Sequence, residues 1–195
     1  MIFRLRPAGA GDILPMLAIY APYVRETAIT FEYAVPTAAE FGARLRQVLP
    51  DYPWLVCRGP GQTLGYAYAH RHMERAAYAW NVECSVYVLD AARGQGVGTA
   101  LYGALLELLA LQGVVNAYGC IAVPNAASEA LHRAAGFRLL GHFPASGWKQ
   151  GRWHDIAWYG KRLQEEGDGA PAPLRPFGSL DEERVAAVLE RHSRA

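Results

Sequence analysis

The segment SVYVLDAARGQGVGTALYGALLELLALQG, residues 85 to 113, constrains the fold more than any other part of the chain. It opens with the alternation of a half-buried strand and closes with Leu101, Leu105, Leu108 and Leu109 at helical spacing, stopped by Gly113. Between them lies the turn Arg93-Gly94-Gln95-Gly96-Val97-Gly98-Thr99. Glycines there let successive backbone N–H groups turn inward, while the helix start presents its positive end to the same point. Such a junction favours an anion, most naturally a pyrophosphate, with Arg93 adding charge and Thr99 a hydroxyl. A tight turn without a ligand fits the same residues.

The flanking segments set the frame. Residues 2 to 6 read as a strand, and Asp12 as the cap of a helix carrying Ile13, Leu14, Leu17 and Tyr20. Thr37 and Glu40 make a capping box that opens a second helix to about Val48. WLVC and TLGYAYAHR bracket the turn RGPGQ as a hairpin, and AAYAWNVECSVYVL reads as one long strand. On that strand Tyr78, Trp80, Val82, Cys84, Val86 and Val88 share one face, and Asn81, Glu83, Ser85 and Tyr87 share the other. VVNAYGCIAV is a further strand, followed by a helix capped by Asn125 or Ser128. FRLLGHF and HDIAWYGKRL are the last strands, joined by a loop PASGWKQGRW. This order predicts an α/β (α+β) domain, a mixed central sheet flanked by helices, over residues 1–163. Past Gln164 the acidic, then proline- and glycine-rich texture predicts a flexible linker, 164–178, and a C-terminal helix, 179–195, capped by Ser179.

Several functions are excluded by what the chain lacks. A dinucleotide fingerprint would follow the first strand rather than the fourth, and a triphosphate loop would need Gly-Lys-Ser/Thr. A net charge of +1 with scattered arginines argues against a nucleic-acid partner. The cysteines Cys57, Cys84 and Cys120 show no CxxC spacing and the histidines no metal spacing, so reduced thiols and no metal are expected. No apolar run approaches the ~20 residues that span a bilayer and no signal peptide is evident, so the expected location is cytoplasmic.

The pattern Arg93-x-x-Gly96-x-Gly98 after an alternating strand is similar to the acetyl-coenzyme-A signature of GCN5-related N-acetyltransferases, the GNAT superfamily. NAASEALHRAAGF, residues 125 to 137, resembles the helix motif that packs beside the pantetheine arm in that family. TAITFE, GYAYA, AYAWNVECSVYV and GWKQGRWHD look, in order, like blocks of its phosphinothricin and methionine sulfoximine N-acetyltransferases, over about residues 3 to 163. The resemblance implies acetyl-CoA as cosubstrate, a small amino-acid analogue as acceptor, direct transfer without an acyl-enzyme, and a homodimer.

It also implies roles for particular residues. Glu83, on the less apolar face of its strand, is the candidate base. His132 stands where many relatives carry a tyrosine that protonates the thiolate, and a helix-surface histidine is the competing reading. Val86, Tyr87 and Val88 pair with the pantetheine, the N–H of Val86 also being a candidate oxyanion donor. Gly94, Gln95, Gly96, Val97, Gly98 and Thr99 with Arg93 hold the pyrophosphate, and Asn125 and Ser128 complete the coenzyme site. Phe31, Glu32, Met73, Glu74, Arg75, Tyr78, Cys84 and Ser85 join Glu83 around the acceptor, where Arg75 would grip an acidic group. His72-Met73 departs from the Trp-Arg that many members carry. Another amine acceptor (polyamine, aminoglycoside or protein N-terminus) and a non-catalytic coenzyme-A-binding module stay open as alternatives.

Overall fold

The computed structural model describes residues 1–165, 169 and 171–194. The strands are β1 (Arg4–Pro7), β2 (Trp54–Gly59), β3 (Gln62–Arg71), β4 (Asn81–Val88), β5 (Asn116–Val123), β6 (Arg138–Lys149) and β7 (Arg152–Arg162). The helices are α1 (Ile13–Glu26), α2 (Ala38–Val48), α3 (Val97–Gln112), α4 (Ala126–Ala134) and α5 (Glu182–His192). All seven strands join one sheet in the order β1-β2-β3-β4-β5-β7-β6. Only the β4–β5 pair is parallel. The expected mixed sheet flanked by helices is therefore the fold.

The period-two alternation of the strands divides the core between the two faces. Trp54, Val56 and Tyr66 pack under α1 and α2 with Met16, Ile19 and Phe41. Leu55, Cys57, Ala67, Val82 and Cys84 pack under α3. That helix starts after Gly96 and ends at Gly113, both left-handed, and buries Leu101, Tyr102, Leu105, Leu108 and Leu109. It is apolar nearly all round because α5 joins the same core through Val188 and Leu189. The capping box forms as expected: Thr37 Oγ1 accepts from the Glu40 N–H at 3.2 Å, and Glu40 Oε2 accepts from the Thr37 N–H at 2.7 Å.

Elsewhere the expectations need correction. Asp12 makes no cap for α1, because its carboxylate is engaged by the Arg6 guanidinium, two contacts of 2.7 Å, and by the Gly9 N–H. The long strand begins only at Asn81. Ala76–Tyr78 form a 3-10 turn, and the Trp80 indole donates to Ala172 O at 2.7 Å instead of joining the core face. The supposed loop 144–153 is mostly strand. β6 and β7 are joined by Gln150 and Gly151 at φ of +52° and +75°, and β6 slips register between Phe143 and Gly147. Left-handed Ala145, at φ +49°, sits in that bulge with its N–H donating to Asp155 Oδ1. The cap of α5 is Asp181, which accepts from the Arg184 N–H at 2.9 Å, and Ser179 belongs to a preceding 3-10 turn. Of the expected linker, 166–168 and 170 lie outside the described residues. Arg175 and Phe177 within it donate their N–H groups to Gln112 O and Asp51 O.

Candidate active site

The parallel neighbours β4 and β5 stay paired for three residues only, Asn81↔Asn116, Val82↔Ala117 and Glu83↔Tyr118. Beyond Glu83 they part, since β5 follows β7 as far as Val123 while β4 stays with β3. Backbone groups of alternate residues point to the same side of a strand. Trp80 O accepts from the Val115 N–H, so Val82, Cys84, Val86 and Val88 present theirs toward β5 as well. Past the fork, Cys84 O accepts from the Tyr102 hydroxyl at 3.4 Å and Val88 O from the Tyr23 hydroxyl at 2.6 Å. Val86 is thus the middle of an open strand edge.

That edge faces two hollows that share Ile29, Val86, Asn125 and Ser128 in their walls. The nearer to the fork, about 50 Å³, is lined by Cys84, Ser85, Val86, Tyr102, Cys120 and His132 among others. The outer, about 150 Å³, lies between Val86 and Val88 on one side and Asn125, Ser128 and Leu131 on the other, and reaches Arg93. At its far end the glycine turn sets Gly94 and Gly96 at φ +71° and +85°, where an L side chain is strained. Among the described residues, no backbone carbonyl accepts from the N–H groups of Gly94 through Gly98. The Gln95 amide donates to Ala91 O at 2.7 Å and stiffens the turn, and Arg93 lies over the Tyr23 ring while pairing with Asp90. These donors, converging at the positive end of α3, fit a diphosphate, and the narrow channel leading to Val86 fits an extended amide-bearing arm.

His132 is buried on α4, and its burial excludes the helix-surface reading. Nδ1 is held by Ser128 O at 2.8 Å and Nε2 by the Tyr102 hydroxyl at 2.9 Å. Because a carbonyl only accepts, the proton of the neutral ring sits on Nδ1, and Nε2 accepts from Tyr102. Burial lowers the pKa of His132, against the raising effect of its bond to Ser128 O, so the ring is neutral at pH 7. Burial pushes the Tyr102 hydroxyl well above its ordinary range, so it keeps its proton. Cys84 is buried in the core beneath α3, and burial pushes its thiol up, leaving it without thiolate character.

Glu83 occupies the last paired position, with its side chain one quarter exposed, and its Oε2 lies 3.8 Å from His72 Nδ1. That nitrogen is buried without a hydrogen-bond partner, and the His72 ring packs against Tyr118 and Trp158. The segment 27–37 forms the facing wall, with Ile29 in both hollows. Buried Lys149 pins it by donating to Val24 O at 2.8 Å and Thr30 O at 2.7 Å. Phe31 lies against Gly147, and Tyr33 donates to Trp148 O. Glu32 is drawn into an ion pair with Arg44 at 2.5 Å. Met73, Glu74, Arg75 and Tyr78 are exposed on the β3–β4 connection, and none of them lines the hollows beside Val86. Glu74 faces a separate hollow beside α2. Lys149→Met is expected to keep the packed stem but leave two carbonyls without their donor, costing about 1–3 kcal/mol. Thermal unfolding measures that loss.

Sequence reasoning missed Tyr23, Ile29, Tyr102 and Leu131. Tyr102 sits in an apolar helical run that reads as pure core, and Tyr23 meets Val88 across 65 positions of sequence. No local pattern marks either.

The comparisons with known proteins agree. The acetyltransferase (GNAT) domain family matches residues 5–158. A phosphinothricin N-acetyltransferase of Streptomyces coelicolor is 38% identical over 164 residues, 82% of this chain and 96% of the relative. An L-methionine sulfoximine/L-methionine sulfone acetyltransferase of Pseudomonas paraeruginosa is 41% identical over 163 residues, 81% of this chain and 93% of the relative. The crystal structure of a GNAT superfamily phosphinothricin acetyltransferase from Sinorhizobium meliloti, in complex with AcCoA, superposes with a TM-score of 0.84 at 36% identity, covering 88% of this chain and 94% of that one.

Proposed function

We propose, from the premise that this chain belongs to the GNAT acetyltransferase family, that it moves the acetyl group of acetyl-CoA directly onto the α-amine of a small amino-acid analogue of the phosphinothricin or methionine sulfoximine kind. The observation that carries this reading is the fork itself: a free strand edge centred on Val86, running from Glu83, the last residue paired with β5, toward Arg93 at the start of the glycine turn. The coenzyme supplies an acetyl group activated as a thioester. The residues of this chain supply the rest.

Glu83 takes a proton from the acceptor ammonium, which must become a neutral amine before it can attack. The Val86 N–H, rigid in its strand, stabilises negative charge developing on the carbonyl oxygen. As the C–S bond breaks, the Tyr102 hydroxyl turns its one hydrogen from His132 Nε2 to the departing sulfur, the second proton shed by the attacking nitrogen ends on that sulfur to give the thiol, and His132, anchored by Ser128, keeps the hydroxyl in place. Asn125 and Ser128 border the pantetheine arm, and Arg93 with residues 94–99 receives the pyrophosphate. Buried, protonated Cys84 takes no acyl group, which favours transfer in a ternary complex. Phe31 and the wall pinned by Lys149 shape the acceptor space, while Arg75 would have to swing inward to grip an acidic group.

Incubation with acetyl-CoA and each of phosphinothricin, methionine sulfoximine and methionine sulfone, with products read by mass spectrometry, tests this. Acetylation of at least one is expected, and acetylation only of polyamines, aminoglycosides or peptides would replace the acceptor class. We assign the enzyme a homodimeric, cytoplasmic state as part of the same reading. The edge strand β6 supports a dimer because it and the start of β7 expose Leu139, Leu140, Phe143, Trp148 and Trp153. Light scattering is expected to give twice the chain mass, and Trp148→Glu with Trp153→Glu to shift it toward the monomer.

A further inference from the structure

We infer that Arg194, in the C-terminal segment, is a ligand of the coenzyme's pyrophosphate. This rests on the reading that the glycine turn receives the pyrophosphate of coenzyme A. The segment crosses the molecule to reach that turn. α5 packs on α3, where Arg191 and His192 both meet Glu107, at 2.6 and 3.1 Å. The His192 ring also lies so close to Gly103 that a Cβ there would stand 2.6 Å from it. Beyond α5 the chain pairs with the N-terminus. Phe3 and Arg194 exchange two backbone hydrogen bonds, of 2.8 and 2.9 Å, and Ser193 Oγ accepts from the Leu5 N–H. The final turn is therefore fixed at both ends rather than trailing in solvent.

This anchoring delivers the Arg194 guanidinium to the glycine turn. It lies over the Phe3 ring, 5.5 Å from the centroid, and Nη1 donates to Gln95 O at 3.2 Å. A Cβ at Gly96 would stand 2.6 Å from Nη2. Arg93 is paired with Asp90 and Arg191 with Glu107, whereas among the described residues no carboxylate lies within ion-pair distance of Arg194. A cation at a helix N-terminus opposes the macrodipole unless an anion lies between them. Here the free N–H groups of 94–98, the start of α3 and an unneutralised guanidinium converge, and a diphosphate satisfies all three. A cleft of about 670 Å³, lined in part by Thr99, Leu131, Lys161 and Arg194, continues from the turn away from Glu83. Arg194 thus stands between the channel for the arm and a space large enough for a nucleoside. The C-terminal segment is, on this inference, a wall of the coenzyme site.

Calorimetric titration of the full-length protein with coenzyme A and with dephospho-coenzyme A, at one salt concentration, tests the assignment. Arg194→Ala is expected to raise the Kd of both about ten- to a hundredfold, as for loss of a charge-assisted contact. Arg194→Lys is expected to recover a good part of the loss. Arg194→Gln, which keeps a stem over Phe3 without the charge, is expected to behave like the alanine variant and serves if that one does not fold. An unchanged Kd in Arg194→Ala, or in Arg194→Gln where the alanine variant does not fold, would overturn the assignment. So would a lysine variant as weak as the uncharged one, or a loss confined to coenzyme A, which would place the contact on the 3′-phosphate. Wild type that binds no coenzyme would remove the underlying reading as well, so the two failures are distinguishable.

Discussion

Glu83→Gln is expected to lower kcat/KM for the acceptor about 10²–10⁴-fold at neutral pH, the span typical of a lost general base. Coenzyme affinity should stay within a factor of two of wild type, because Glu83 lies at the end of the cleft remote from the glycine turn. The substitution is isosteric and leaves the carboxamide beside His72, so the fold should be unperturbed. The loss should shrink as pH rises toward the pKa of the acceptor ammonium, since the amine then arrives already neutral. A structural role for Glu83 would give a pH-independent loss instead. Initial rates from pH 6 to about 9.5, with coenzyme titration of both proteins, separate these outcomes.

Tyr102→Phe is expected to lower kcat about 10²–10³-fold, comparable to removing one donor from a developing anion. Phenylalanine retains the ring packing against Phe137 and His132. It removes the hydroxyl that lies within reach of both Cys84 O and His132 Nε2. His132, left with an unpartnered buried nitrogen, costs about 1–3 kcal/mol of stability at most. A thioester whose leaving thiol is more acidic needs less help from a hydrogen-bond donor. Acyl donors built on such thiols should therefore lose less on going to Tyr102→Phe than acetyl-CoA does. Equal losses with both donors would remove the hydroxyl from the leaving-group role.

Much of the scaffold is legible because it follows from local chemistry. The capping box at Thr37 and Glu40, the strand ending at Val88, the glycine turn and the α3 helix each arise from neighbouring residues whose preferences agree. Val86, Val88, Arg93, Asn125 and Ser128, proposed to face the coenzyme, are brought together around one hollow for the same reason, being attached to those elements. The β6–β7 hairpin is misread because Pro144, Ser146 and Gly147 look like loop residues. The bulge that tolerates them depends on Asp155 of the opposing strand. The acceptor side is the least legible. Residues 27–37 have no regular structure of their own and take their shape from Lys149, more than a hundred positions away. Arg75 shows the converse: a residue of suitable chemistry that the fold leaves on an exposed turn. Arg194 meets the turn at a separation of 99 residues, a proximity no periodicity could announce.

Direct transfer in the β4–β5 fork is tested by a grid of initial rates. Thiol release is measured while acetyl-CoA and methionine sulfoximine are varied together. Saturable, acceptor-dependent release with intersecting reciprocal plots is the predicted result. Parallel plots, with acetyl retained on the protein when the acceptor is withheld, would contradict it.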